Sequence, residues 1–189
     1  RNGAGTLRGK AGGDDRDPAG GDGLELLSPA GNEEKLAYAY RYGADAAYIG
    51  LGSFSLRARA DNFSLDTSPR VGGAGTAAQD LATRLRRIKG ERRLYGAFNI
   101  FFRNEDILRL EEEVEAIAQL PIDAFIVSDL GAFSLLRRRL PKARFHLSTQ
   151  ANCINAESVK AYRDLGFSRI ILGREAGIRE IEEIRREVP

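Results

Sequence analysis

Short apolar runs rich in strand-forming residues alternate along this chain with longer segments whose apolar positions recur at helical spacing. The first run, Leu24 to Ser28, is followed by Asn32-Glu-Glu-Lys. Asn32 is placed to cap a helix and the two glutamates suit its first turn. Leu36, Ala39 and Tyr40 continue at helical spacing until Gly43. The second run, Ala46 to Leu51, precedes a helix predicted at Ala77 to Lys89, and the third is Leu94 to Ile100. After it, Ile107, Leu108, Leu110, Val114, Ile117 and Leu120 mark one helical face that Pro121 closes. Ala124 to Ser128 leads into a helix at Ala132 to Arg139, and Phe145 to Ser148 into one at Ala156 to Leu165, ended by Gly166. Arg169 to Leu172 leads into the last helix, Ile178 to Glu187.

Six strand–helix units in this spacing require parallel strands joined by crossover helices, either as an open doubly wound sheet or as a barrel. The units follow at an even pace without a reversal, and five strands end in polar or small residues: Ser28-Pro29-Ala30, Asn99, Ser128-Asp129, Ser148-Thr149-Gln150 and Gly173-Arg174-Glu175. A barrel gathers such ends at one mouth, where active sites are built. The predicted fold is therefore α/β, a TIM-barrel-like (β/α) domain spanning residues 24–189. Two strands are lacking for a closed barrel of eight, so the expectation is an incomplete barrel with an exposed edge and a tendency to self-associate. A start at Arg1 and an end at Val188-Pro189 accord with a fragment.

Composition adds boundaries. Residues 1–23 hold eight of the 21 glycines and only Leu7 among large aliphatic or aromatic side chains, so a disordered tail is expected there. Thr67 to Thr76 is a second glycine-rich break, read as a flexible loop. The net charge of +2 does not by itself point to nucleic acid or an anionic membrane. A single cysteine, Cys153, excludes an internal disulfide and a thiolate-held zinc or iron–sulfur site built from this chain alone. With no long apolar run, a soluble cytoplasmic protein without a membrane partner is expected.

Several residue groups have chemistry of interest. The loop after the second strand carries Arg57, Arg59 and Asn62 beside Phe54 and Phe63. Its guanidinium groups suit a carboxylate or phosphate, or they pair with Asp61 and Asp66. Ser148, Thr149, Gln150 and Asn152 form a run of hydrogen-bonding side chains at a strand end, a platform for a polar ligand or a cap for the next helix. His146, the only histidine, is a candidate base or metal ligand, although a packed imidazole is the simpler state and no second histidine exists to share a metal. Glu25, Asp129 and Glu175 are placed as carboxylates around the mouth, or as partners of nearby cations such as Arg174. Ser148 lacks a nucleophile elbow. Basic clusters at Arg84 to Arg93 and Arg137 to Arg144 fall at helix ends opposite the mouth, where solvated cations complement helix dipoles; an RNA-contacting face is the alternative.

Glu25-Leu-Leu-Ser-Pro-Ala-Gly-Asn32, Tyr42-Gly-Ala-Asp-Ala-Ala-Tyr-Ile-Gly50, Phe54-Ser-Leu-Arg-Ala-Arg59 with Asn62-Phe63, and His146-Leu-Ser-Thr-Gln-Ala-Asn152 with Asn155 occur in this order. The chain from Leu24 to Val188 thereby resembles the N-terminal half of the collagenase-like peptidase family U-32. The resemblance implies either a protease, with a protein substrate and no established catalytic residue, or an oxygen-independent hydroxylase of tRNA, rRNA or the ubiquinone ring. Some members use prephenate and an iron–sulfur cluster held by four cysteines that lie downstream of the matched region, so neither a cofactor nor a metal ligand is carried over to this chain. It implies RNA hydroxylation as the leading activity of the complete protein, with a metal-independent peptidase or a non-catalytic RNA- or ligand-binding module as alternatives. Alone, the fragment is expected to show little activity.

Overall fold

A computed structural model describes residues 24–56, 63–65 and 76–188. The residues 1–23 expected as a tail, and most of the loop expected at 67 to 76, lie outside the described residues.

Six parallel strands alternate with helices: β1 (Leu27–Ala30), α1 (Glu33–Arg41), β2 (Ala46–Gly50), α2 (Ala77–Lys89), β3 (Arg93–Phe98), α3 (Asn104–Ala118), β4 (Ala124–Val127), α4 (Leu130–Arg139), β5 (Phe145–Leu147), α5 (Ala156–Leu165), β6 (Arg169–Ile170) and α6 (Ile178–Glu187). The spatial order is β1-β2-β3-β4-β5-β6, every neighbouring pair parallel. A doubly wound sheet turns back on itself at a switch point. This one does not, so the barrel-like alternative is the observed one, unclosed among the described residues.

Local chemistry fixes the helix starts. Asn32 Oδ1 accepts the Lys35 N–H at 2.9 Å. Thr76 and Gln79 make a reciprocal capping box before α2. Asp129 accepts from Ala132 N at 2.8 Å and Asn155 from Ser158 N at 2.9 Å, each satisfying a donor that the first turn leaves without a helical partner. Gly166, at φ 106, ends α5 in the left-handed region.

Two apolar layers follow from the alternation of side chains along the strands. The larger lies between sheet and helices, with Leu36, Ile49, Leu51, Leu85, Leu94, Phe98, Leu110, Ile117, Leu136 and Leu147 fully enclosed. The smaller fills the inside of the curl: Ala46, Tyr95, Ala124 and Ile126, flanked by Leu27, Tyr48 and Ile171.

The first strand lies later than its apolar run predicts. Leu24 is fully exposed, and pairing begins only at Leu27. Pro29 sits within the strand, which an edge position tolerates because one side of β1 has no neighbouring strand among the described residues.

Candidate functional site

At the C-terminal ends of the strands, β5 gives way to a single 3₁₀ turn, Thr149–Ala151, which the sequence reading places simply between strand and helix. Ser148 is buried, its N–H donates to Val127 O at 2.9 Å, and its Oγ accepts the Gln150 N–H at 3.4 Å. Its hydroxyl is thus a local cap. Asn152 ends the turn in the left-handed conformation, φ 53, the only described non-glycine residue with positive φ. Asparagine is among the residues that tolerate this region best.

Gly173 makes the next contact. A Cβ there would stand 3.1 Å from Glu175 Oε2, 3.4 Å from Asn152 Oδ1 and 2.8 Å from Ile154 Cγ2. The missing side chain lets Asn152 and Glu175 approach from two loops, and Gly173 N–H is tied to Cys153 O at 2.9 Å. Thr149 is half-buried, while Gln150, Asn152 and Glu175 are exposed. On the neighbouring strands Asp129 caps α4, and Asn99 Oδ1 accepts the Leu56 N–H at 3.2 Å, anchoring the loop after β2. The structure therefore brings Ser148, Thr149, Gln150, Asn152 and Glu175 to one end of the sheet. Arg57, Arg59 and Asn62 lie outside the described residues, between Leu56 and Phe63, whose neighbouring backbone is held by Phe63 N–H to Gly50 O at 3.2 Å.

Glu25 is a correction. It is not at the mouth but precedes β1, at the opposite end, and its carboxylate is turned inside the curl. Oε2 accepts from Arg93 and from the Tyr95 hydroxyl, each at 2.8 Å, and Oε1 accepts from Arg169 at 2.6 Å. One carboxylate thus joins β1, β3 and β6 across the interior. His146 packs edge-on against Tyr95, with ring centroids 4.9 Å apart, which accords with a packed imidazole. Burial, with the hydrogen bond to Glu25, pushes the Tyr95 phenol above its ordinary range.

The sequence reading assigns Arg93 to a solvated basic cluster and leaves Arg169 without a role. Their signal was available: Arg93 and Tyr95 are two apart on one strand, so they share a face, and Arg169 opens a strand. Three other basic residues at this end also differ from simple solvated cations. Arg86 donates to Gln119 O at 2.7 Å, Arg92 to Tyr40 O and Ala44 O at 2.9 and 2.5 Å, and Arg137 to Leu165 O. Each serves the end of a neighbouring helix whose last carbonyls lack partners.

No group of three or more His, Cys, Asp or Glu residues suited to a metal occurs among the described residues. Cys153 is buried, and desolvation pushes its thiol up. No described helix is long and apolar enough to cross a membrane.

Residues 31–189 match the model of Peptidase family U32. Among curated relatives, "tRNA hydroxylation protein P" of Helicobacter pylori is 38% identical, over 88% of this chain and 37% of that protein. The "23S rRNA 5-hydroxycytidine C2501 synthase" of Escherichia coli is 29% identical over 85% of this chain and 22% of that protein. A "Collagenase" of Porphyromonas gingivalis is 28% identical over 87% and 36%. The chain spans little more than a third of the length of the first of these relatives. Among solved structures, Proteus mirabilis N-acetylneuraminate lyase superposes with a TM-score of 0.52 at 15% identity, covering 86% of this chain and 60% of that one. That likeness concerns the fold, which is of the TIM-barrel kind.

Proposed function

This chain belongs to peptidase family U32, and we propose that it forms the barrel portion of a protein that hydroxylates RNA, tRNA or rRNA, without molecular oxygen. The observation that carries the proposal is the 38% identity over 88% of the chain to a tRNA hydroxylation protein, against 28% to the collagenase. The mouth supports it. Gln150, Asn152 and Glu175 present amide and carboxylate groups at the C-terminal end of the sheet, where a nucleobase edge offers matching donors and acceptors. The hydroxyl that a serine peptidase would use, Ser148 Oγ, instead caps the 3₁₀ turn.

In this reading the chain's residues bind and orient the target. The iron–sulfur cluster that the family resemblance implies requires four thiolates, and one buried cysteine with a raised thiol does not fit it. Such a cluster would be held by cysteines outside these residues.

The test is a deletion of the encoding gene, with mass spectrometry of nucleosides from tRNA and rRNA. A nucleoside one oxygen atom heavier is expected to disappear and to return with the wild-type gene. It is not expected to return with the Asn152→Ala, Glu175→Gln double variant. An unchanged nucleoside profile, with gelatin cleavage by the purified protein that Ser148→Ala abolishes, would establish the peptidase instead.

A further inference from the structure

A cavity of about 670 Å³ opens at the N-terminal end of the sheet, on the side away from the mouth. Its rim comes from the segments that lead into β3, β4, β5 and β6: Arg93, Asp123, Arg144 and Ser168, with Arg163 from the last turn of α5. Tyr95 and His146 form its floor. Three guanidinium groups and one carboxylate, that of Asp123, thus line it. Asp123 is already held by Lys89 at 3.1 Å and by the Leu94 N–H at 2.7 Å, and a second carboxylate, that of Glu25, accepts from the lining Arg93 and Tyr95.

The surrounding cations divide by what they already do. Arg86, Arg92 and Arg137 serve helix ends, and Arg84 and Arg139 pair with Glu33 and Glu115. Arg93 is fixed by Glu25, which orients its guanidinium at the cavity wall. Among the described residues Arg163 pairs only with the exposed, sequence-adjacent Asp164, a pair of little strength. Arg144 is exposed and has no side-chain hydrogen bond or ion pair among the described residues. Helix-dipole complementation does not explain Arg144, because it opens a strand approach rather than ending a helix.

We propose that this cavity binds a phosphate group. Guanidinium groups on several walls match a tetrahedral phosphate, whose oxygens point in several directions, better than a planar carboxylate that one fork satisfies. The volume lies within the range of small-molecule sites, so it accepts the phosphate of a larger molecule as well as the free ion. The two sources are a phosphate monoester and the backbone of an RNA strand. The site lies at the opposite end from the mouth, and its occupancy stands apart from the hydroxylation reading.

The experiment titrates the protein with inorganic phosphate, read by ³¹P resonance broadening and by thermal shift. Saturable binding is expected. Arg144→Gln, which removes one charge-assisted donor, should weaken it roughly tenfold. Arg174→Gln, at the mouth end, should leave it unchanged. Circular dichroism verifies the fold, and Arg163→Gln serves as the second cavity variant should Arg144→Gln fail to fold. A short single-stranded oligoribonucleotide that displaces phosphate, and binds less tightly to Arg144→Gln, identifies backbone phosphate as the source. Phosphate binding that the oligonucleotide leaves intact identifies a small phosphate ester. Absence of saturable binding at millimolar phosphate, or equal binding by wild type and both cavity variants, overturns the proposal.

Discussion

Replacing Glu25 by alanine should destabilise the domain more than any surface charge deletion, because one carboxylate closes the curl of the sheet. It accepts from Arg93 and Tyr95 at 2.8 Å and from Arg169 at 2.6 Å, joining the first strand to the last. The carboxylate side chain is 12% exposed, and Arg93 and Arg169 are 22% and 28% exposed. Fully buried pairs cost about 3–5 kcal/mol when one partner is removed, and exposed pairs no more than about 1. This intermediate burial places the loss at about 2–3 kcal/mol, as two guanidiniums and a phenol lose their common acceptor. For a domain of this size that corresponds to a fall in Tm of roughly 4–12 °C. Thermal unfolding followed by circular dichroism measures it, and a double-mutant cycle with Arg169→Ala isolates the pair. A coupling energy of about 1 kcal/mol or more is expected, with little sensitivity to added salt. A Tm within about 1 °C of wild type, or no coupling, would show that the interior cluster is solvated and does not hold the two edges together.

Three further predictions test the surrounding structure. Glu113 carries a buried, unpartnered carboxylate oxygen beside Gly52, and desolvation raises its pKa. Its protonated form is therefore favoured by folding, so its contribution is most favourable at acid pH and declines as pH rises through the raised value. Glu113→Gln should accordingly raise Tm at pH 7 and flatten this pH dependence, as measured by melting between pH 4 and 7. After allowance for solvent screening the gain is a fraction of about 1 kcal/mol. Cys153, buried and with a raised thiol, should react with a disulfide reagent only on unfolding, so that urea and labelling rate rise together. Gly166→Ala should cost about 1 kcal/mol or more in urea melts, because φ 106 disfavours a side chain and a Cβ would stand 3.0 Å from Arg137 Nη1.

Much of this architecture is legible in the chain because the two periodicities are clean. The helices over 77–89, 156–165 and 178–187 fall where spacing and terminators place them. Each carries an apolar stripe and begins at a residue with a defined capping role or at a glycine. Strand ends are less legible. Apolar composition continues through Leu24 and Leu26, but pairing depends on a neighbour at the right height, and β2 begins only at Ala46. The five described mouth residues are brought together because strand ends in a parallel curl converge by construction. Glu25 escaped that logic. Its neighbours in sequence contain no arginine, and its partners lie 68, 70 and 144 residues away. Only knowledge of which strand faces turn inward connects them.

That placement separates two kinds of polar chemistry in one domain. At the mouth, asparagine, glutamine and glutamate side chains stand exposed or against Gly173, held by loops and single turns. They can change partners when a ligand arrives at little cost to the core. At the opposite end most of the charges, Arg144 and Arg163 apart, are tied into carboxylate and carbonyl networks that hold helices and strands in register, so a ligand there meets a partly prearranged wall. Adaptable amides suit recognition of a base edge, whereas guanidinium groups suit a phosphate. The division predicts opposite mutational signatures. On the proposed function, mouth substitutions that leave the backbone unstrained, such as Gln150→Ala, should alter nucleoside hydroxylation with Tm nearly unchanged. Substitutions in the opposite network, such as Arg169→Ala, should lower Tm first. If Arg169→Ala proved thermally silent while Gln150→Ala unfolded the domain, the assignment of structural and functional roles to the two ends would be reversed.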